Sequence, residues 1–186
     1  MILNIAVQSR EIGNKSARKN LRKSGQIPAI IYSEGQPGIP ISVPTNEFFK
    51  LYKKSIGQVA VFKLELNGNE HHAIVKARQI HPVSRDYVHI DFFELEKDKE
   101  LTLPVPINFI GNPAALKAGG VLETSLQKLN VTCIPKHIPN DIPLNIDELK
   151  IGDTIYVKDI KVKNVTIKEA GDEPIISVIV AKKDDE

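Results

Sequence analysis

The sequence predicts a mainly β protein with short helices, and three observations lead there. Apolar and polar residues alternate over short stretches, as in Phe62, Leu64 and Leu66 against Lys63 and Glu65, which is the period of a half-buried strand. The same alternation returns at Leu101, Leu103, Val105, Ile107 and Phe109. Asn67-Gly68 follows the first of these stretches and is a strong hairpin signal. Helical signals are confined to two short segments.

In chain order, residues 2–7 form an opening strand. Asn14 is a plausible N-cap and Gly25 a plausible residue just past the C-terminus of a helix over 15–24. At about 100° per residue, Lys15, Arg18, Lys19, Arg22 and Lys23 fall within an arc of about 140°. Ala17 and Leu21 lie opposite, where they are expected to dock on a sheet. Ile27–Tyr32 and Ile39–Val43 are strands around a turn at 33–38, and Thr45 is expected to cap a helix running to about Lys54. Glu47 early and Lys53-Lys54 late suit the helix dipole. Residues 71–80 and 86–93 supply further strands.

The charged run at 94–100 marks a domain boundary between 1–93 and 94–186. The second half reads as nearly all β. Pro104 and Pro106 suggest that its first strand lies at a sheet edge. Leu129, Val131 and Cys133 alternate on another strand, and Thr154–Val157, Val162–Ile167 and Ile175–Val180 are expected strands. Pro135, Pro139 and Pro143 punctuate an extended crossing segment, and Asp184-Asp185-Glu186 reads as a solvated tail.

A chain of 186 residues can bury a core as one large domain or two small ones. Its apolar runs are too short to cross a bilayer, and the N-terminus carries no charged n-region or small-residue cleavage site. Cys133, the single cysteine, has no internal disulfide partner and sits among apolar neighbours. These features favour the cytoplasm and no membrane partner.

Charge is divided unevenly. Residues 1–93 carry 13 Lys/Arg and 7 Asp/Glu, whereas 94–186 carry 12 and 16. All five arginines (Arg10, Arg18, Arg22, Arg78, Arg85) lie in the first half. Arginine offers a rigid fork of donors matched to phosphates and base edges. The first half therefore reads as a polyanion binder joined to a half that does something else.

Two constellations sharpen that reading. The cationic helix leads directly into a strand ending in Tyr32, which can stack on a base or sugar while its hydroxyl bonds a phosphate; the plainer alternative is a partly buried strand aromatic beside a solvated helix. In Val88-His89-Ile90-Asp91-Phe92, alternation puts His89 and Asp91 on one face. The pair is open to reading as a catalytic dyad, a metal site, a recognition pair or an ordinary solvent-facing pair. The sequence offers no convincing nucleophile or third orienting group for catalysis. Within a basic surface, a carboxylate makes sense aimed at base-edge donors. Upstream, Lys76 and Arg78 are expected on one face of a strand and Gln79 on the other. His71 and His72, being adjacent, point to opposite faces and make a poor metal pair. Gly119-Gly120-Val121 lacks the Lys-Ser/Thr of a phosphate loop. No cofactor, metal or catalytic residue is expected.

Several segments in order resemble one family: Leu21–Tyr32, Gln79-Ile80-His81-Pro82-Val83, Val88–Phe92, Gly111-Asn112-Pro113, Ala118–Glu123, Cys133-Ile134-Pro135 with Ile138-Pro139, and Leu149–Asp153. The chain resembles the bacterial large-subunit ribosomal protein family that binds 5S rRNA, in its two-domain general stress protein CTC form. Ser33 and Asn20 depart from the family's usual residues. The resemblance implies an N-terminal six-stranded β-barrel-like domain on the loop E region of 5S rRNA, followed by a C-terminal β-rich domain. It implies RNA contacts by Arg10, Arg22, Tyr32, His89 and Asp91, with Gln79 on the same surface. With Lys15, Arg18 and Lys19 from the cationic helix, these form the expected site. The large ribosomal subunit is the implied partner, with neighbouring ribosomal proteins as candidate contacts of the second half. The competing reading is a tRNA-binding module similar to the anticodon-binding barrels of glutaminyl-tRNA synthetases, although no synthetase catalytic domain is present. Enzyme activity at His89–Asp91 and recruitment of a stress-response partner by the acidic half are further alternatives.

Overall fold

The computed structural model describes residues 1–117 and 119–180. The expected acidic tail at 184–186, and Ala118 of the resemblance, lie outside the described residues. Two compact units are present: residues 1–56 with 60–99, and residues 57–59 with those from 100 onward.

The first unit contains β1 (Ile2–Ser9), α1 (Lys15–Lys23), β2 (Gln26–Tyr32), β3 (Ile39–Pro44), α2 (Thr45–Lys54), β4 (Val61–Leu66), β5 (Asn69–Ile80) and β6 (Tyr87–Glu94). The six strands close into a barrel in the order β1-β3-β2-β6-β5-β4, and β1 pairs in parallel with β4 to complete it. Closure leaves no free sheet edge. Strand alternation sends Leu3, Ile5 and Val7, Ile27, Ala29 and Ile31, Phe62 and Leu64, and Ile90 and Phe92 inward, all buried. At the β4–β5 hairpin, Asn67 (φ 50°) and Gly68 (φ 82°) both occupy the left-handed region, as a two-residue primed turn requires.

The helices follow their caps with two corrections. Asn14 caps α1 as expected: its side-chain oxygen accepts the Ala17 N–H at 2.9 Å. Ala17 does not dock on the sheet, however; it is exposed, and only Leu21 on that side is half-buried. The α1 helix therefore lies on the surface with no buried residue. In α2, Thr45 is the first helical residue and makes no side-chain cap. Its N–H instead donates to the Gly25 carbonyl at 2.9 Å, which carries the β2–β3 ladder one step past Pro44. Pro44, the last residue of the strand, thus stands at the N-cap position and offers no side-chain cap. Phe48 of α2 is fully buried against Phe62, Tyr87 and Phe92, so the helix packs across the barrel end where β3 ends and β4 and β6 begin.

The second unit contains β7 (Leu101–Ile110), α3 (Ala114–Lys117), β8 (Gly120–Thr124), β9 (Lys128–Cys133), β10 (Ile142–Asn145), β11 (Thr154–Tyr156), β12 (Thr166–Ile167) and β13 (Pro174–Val180). They form two sheets, β10-β7-β9-β12 and β11-β13-β8. Buried residues come from both, including Leu103, Val105, Leu129, Val131 and Ile142 from the first and Ile176 and Val178 from the second.

Here the sequence reading needs more correction. By sheet order β7 is not an edge strand, since β10 pairs beside it. That pairing covers only Ile107–Ile110. The Ile107 N–H donates to Gln127 on the β9 side, so alternation turns the donorless nitrogens of Pro104 and Pro106 to the side that β10 leaves open. The expected strand at Val162–Ile167 shrinks to Thr166–Ile167 because a turn with Asn164 at φ 60° precedes it. Two strands were not anticipated: β8, within the glycine-rich stretch, and β10, which contains Pro143 yet runs parallel to β7.

One glycine in this unit has a structural requirement. Gly111 sits at φ 114°, and a Cβ there would lie 2.5 Å from Asp147 Oδ1. The same carboxylate oxygen accepts the Asn112 N–H at 2.8 Å. Gly111→Ala would strain the backbone and push away the carboxylate that holds the turn. We expect a loss of about 1–3 kcal/mol in chemical denaturation; a change below about 0.3 kcal/mol would show that the turn relaxes freely.

Candidate nucleic-acid interface

The predicted residues gather on one side of the barrel, on the outer face of three neighbouring strands and on the helix beside them. Inward-pointing Ala29, Ile31, Ile90 and Phe92 fix the parity, leaving Ile30 and Tyr32 of β2, and His89, Asp91 and Phe93 of β6, on the outer face. Register then sets neighbours: Tyr32 lies opposite Phe93, Ile30 opposite Asp91, and Gln79 of β5 opposite His89. Adjacent strands stand about 4.8 Å apart, so this is one continuous surface.

His89 and Asp91 are joined by a hydrogen bond, Nδ1 to Oδ1 at 2.7 Å, with both side chains partly exposed. With Nδ1 donating to the carboxylate, Nε2 has no protein partner among the described residues. The second carboxylate oxygen is likewise unbonded. The pair therefore offers a fixed imidazole nitrogen and a carboxylate acceptor, set side by side. No hydroxyl or thiol bonds to either residue among the described residues, so nothing there assembles a nucleophile. Nor does any group of three His, Cys, Asp or Glu side chains among the described residues suit a metal ion.

Tyr32 meets Phe93 edge to face, with centroids 5.7 Å apart. Lys76 reaches over the same Phe93 ring, its Nζ 5.7 Å from the centroid. The reason is a bulge: Val75 pairs with Phe92 and Ala77 with Asp91, so Lys76 is the extra residue on β5. This corrects the expectation that Lys76 and Arg78 share a face. Arg78 pairs with Ile90 and lies over the Tyr52 ring at 4.7 Å, away from Gln79. Phe93 and Lys76 are additions that sequence reasoning did not single out; the bulge that brings them together has no local signature.

The cations are placed in two ways. Lys15, Arg18 and Lys19 are exposed along α1, and Arg22 is half-buried near its end. The helix packs against β2. Arg10, by contrast, is partly engaged by the fold. Its Nε donates to the Ile41 carbonyl at 2.9 Å and an Nη to the Ala29 carbonyl at 3.4 Å. Burial, and secondarily the positive charge of Arg18, lower its pKa from the ordinary guanidinium value. Arg10 thus spans β3 and β2 beside the α1 charges, with donors left over for a ligand. His71 makes a separate pair with Glu94 at 2.7 Å, while His72 is exposed, so the two histidines part as alternation requires.

Comparison with known proteins gives the family of the chain. The profile of the Ribosomal L25p family matches residues 5–92, and that of the ribosomal protein TL5 C-terminal domain matches residues 100–182. A large ribosomal subunit protein bL25 of Shouchella clausii is 36% identical over 162 residues, covering 86% of this chain and 74% of the relative. The chain belongs to the ribosomal L25p family. Another bL25, from Desulfovibrio desulfuricans, is 33% identical over 97% of this chain and 93% of its own. That of Pseudomonas fluorescens is 33% identical over 83% of this chain and 77% of its own. As a member of the L25p family the protein has a structural and not an enzymatic role. Among the described residues no helix is long and apolar enough to cross a membrane.

Proposed function

We propose that the chain is a structural component of the bacterial large ribosomal subunit that binds the loop E region of 5S rRNA through residues 1–93, in the cytoplasm as part of ribosomes. The observation that carries this reading is the shared surface of α1, β2, β6 and β5. It sets a line of exposed cations beside an aromatic and a hydrogen-bonded His89–Asp91 pair. Cations that meet phosphates position an RNA, and groups aimed at base edges specify it. Lys15, Arg18, Lys19, Arg22 and the free donors of Arg10 take the first role. Tyr32, Gln79, His89 and Asp91 take the second, because a carboxylate gains nothing from phosphates but accepts from amino and imino groups. An RNA internal loop with a widened minor groove exposes such edges. The names of the bL25 relatives support the ribosomal assignment. The second half carries 16 Asp/Glu against 12 Lys/Arg, and we assign it to contacts with neighbouring ribosomal proteins.

The test is binding of the full chain to 5S rRNA and to tRNA at equal salt, with Asp91→Ala beside the parent. The parent should prefer 5S rRNA. A well-made base contact is worth about 1–3 kcal/mol of discrimination, so Asp91→Ala should narrow that preference by roughly 5- to 150-fold while tRNA binding stays level. Equal affinity of the parent for both RNAs would remove the 5S assignment. Equal losses on both RNAs in the variant would remove Asp91 from base recognition.

A further inference from the structure

A second concentration of exposed charge lies on α2 and the far end of β5, apart from the surface above. Around α2, Phe48, Leu51, Tyr52 and Ser55 are buried or half-buried, the spacing that turns one helix face to the barrel. Beyond that face on the Tyr52 side come Phe49 and Lys53, and Lys50 stands on the far side of the helix, all exposed, with Phe49 at 53%. Phe49 and Lys53 are one turn apart, on the side of the helix that Tyr52 borders. Over the Tyr52 ring lies the Arg78 guanidinium, 4.7 Å from the centroid, with the Tyr87 side chain close by. An exposed arginine is thereby placed beside two aromatic side chains. None of Lys50, Lys53 and Arg78 is in an ion pair among the described residues. The one acid of α2, Glu47, falls about 120° round the helix from Lys53.

Single exposed apolar residues need no explanation. An exposed phenylalanine one turn from Lys53, on the helix that also presents Tyr52 to the Arg78 guanidinium, is a different arrangement. Lys50 has Glu47 three residues before it on the same side of the helix, whereas Lys53 and Arg78 stand without an ion-pair partner among the described residues and the Phe49 side chain is exposed. Single-stranded nucleic acid supplies both complements, since phosphates recur along it and every base has a face that stacks. The site is separate from the His89–Asp91 face: Arg78 pairs with Ile90, whose side chain points inward, whereas Gln79 pairs with His89 on the outer face.

We propose that this α2–β5 face is a second RNA-binding surface that takes a single-stranded or looped segment. A base stacks on Phe49, and Lys50, Lys53 and Arg78 meet the flanking phosphates. The protein then holds two RNA elements at once.

The experiment uses the full chain and a labelled oligouridylate as probe, titrated across a salt series with and without saturating 5S rRNA. Phe49→Ala should weaken oligouridylate binding about tenfold. Lys50→Glu with Lys53→Glu should reduce it further and flatten the salt slope, because two phosphate contacts become repulsive. Phe49→Ala should keep the parent's melting temperature and the lysine double variant should lower it slightly, since Lys53 faces the negative end of the α2 dipole; both should keep the parent's affinity for 5S rRNA, and saturation with 5S rRNA should leave oligouridylate binding intact. Unchanged affinity in the double variant, displacement by 5S rRNA, or no binding by the parent would each overturn the proposal. Failure of the 5S assignment would show instead as lost preference over tRNA with oligouridylate binding still sensitive to Phe49.

Discussion

Replacing Lys15, Arg18 and Lys19 together by glutamate is expected to weaken binding of 5S rRNA by about a hundredfold or more at moderate salt. The three side chains are exposed on one stripe of α1 and none is in an ion pair among the described residues. Each phosphate that a cation neutralises releases counterions, adding about 0.9 to the slope of log affinity against log salt on a duplex. Losing three contacts should flatten that slope by about 2–3. The substitution separates binding from folding. The first turn of α1 contains no acidic residue, and carboxylates placed near a helix N-terminus interact favourably with its dipole. Asn14 continues to cap the helix. The melting temperature should therefore hold or rise slightly while RNA binding collapses. A variant that kept the parent's slope would show that α1 faces solvent and that affinity comes from Arg10, Arg22 and the strands.

The strands and helices of the first half were largely legible because their signals are local and agree with one another, whereas closure of the strands into a six-stranded barrel came from the family resemblance alone. Period-two alternation, Asn67-Gly68 and Asn14 each specify a single backbone outcome within a few residues. The fold class followed, and so did the shared face of His89 and Asp91, since two residues two apart on a strand must point the same way. What failed depended on partners distant in sequence. Thr45 has the chemistry of a cap, but the Gly25 carbonyl recruits its N–H into the ladder. Pro104 and Pro106 do mark an open side, yet β10, some 35 residues on, covers the rest of that strand. Pro143 looked like punctuation because proline weakens a strand, although a parallel pairing accommodates it. At the candidate site, no local pattern shows that Arg10 bonds the Ile41 and Ala29 carbonyls. Nor does one reveal the bulge that parts Lys76 from Arg78.

The second large effect is expected at Phe48, and it acts on the fold before it acts on RNA. Its ring is fully buried and stands 5.2 Å from Tyr87, 5.4 Å from Tyr52, 5.8 Å from Phe62 and 6.2 Å from Phe92, centroid to centroid. That side chain, with Leu51 and Tyr52 packed beside it against the core, anchors α2 across the barrel end. Phe48→Ala removes the aromatic contacts and leaves a cavity that four bulky neighbours cannot readily fill, at a cost of about 3–5 kcal/mol. Against a usual total of about 5–15 kcal/mol, that is a large fraction. Phe48→Leu keeps most of the volume and should cost distinctly less, about 1–2 kcal/mol. Chemical denaturation read by tyrosine signal suits the measurement, since there is no tryptophan and three of the four tyrosines lie in the first unit. Ligand linkage then distinguishes this variant from the charge-reversed one. A ligand that binds only the folded state stabilises it by about 2.7 kcal/mol at a hundred times its dissociation constant. Saturating 5S rRNA should therefore restore much of the stability of Phe48→Ala, whose binding face is intact when folded, and do little for the α1 variant. A loss below about 1 kcal/mol in Phe48→Ala would mean that α2 is held by its other contacts.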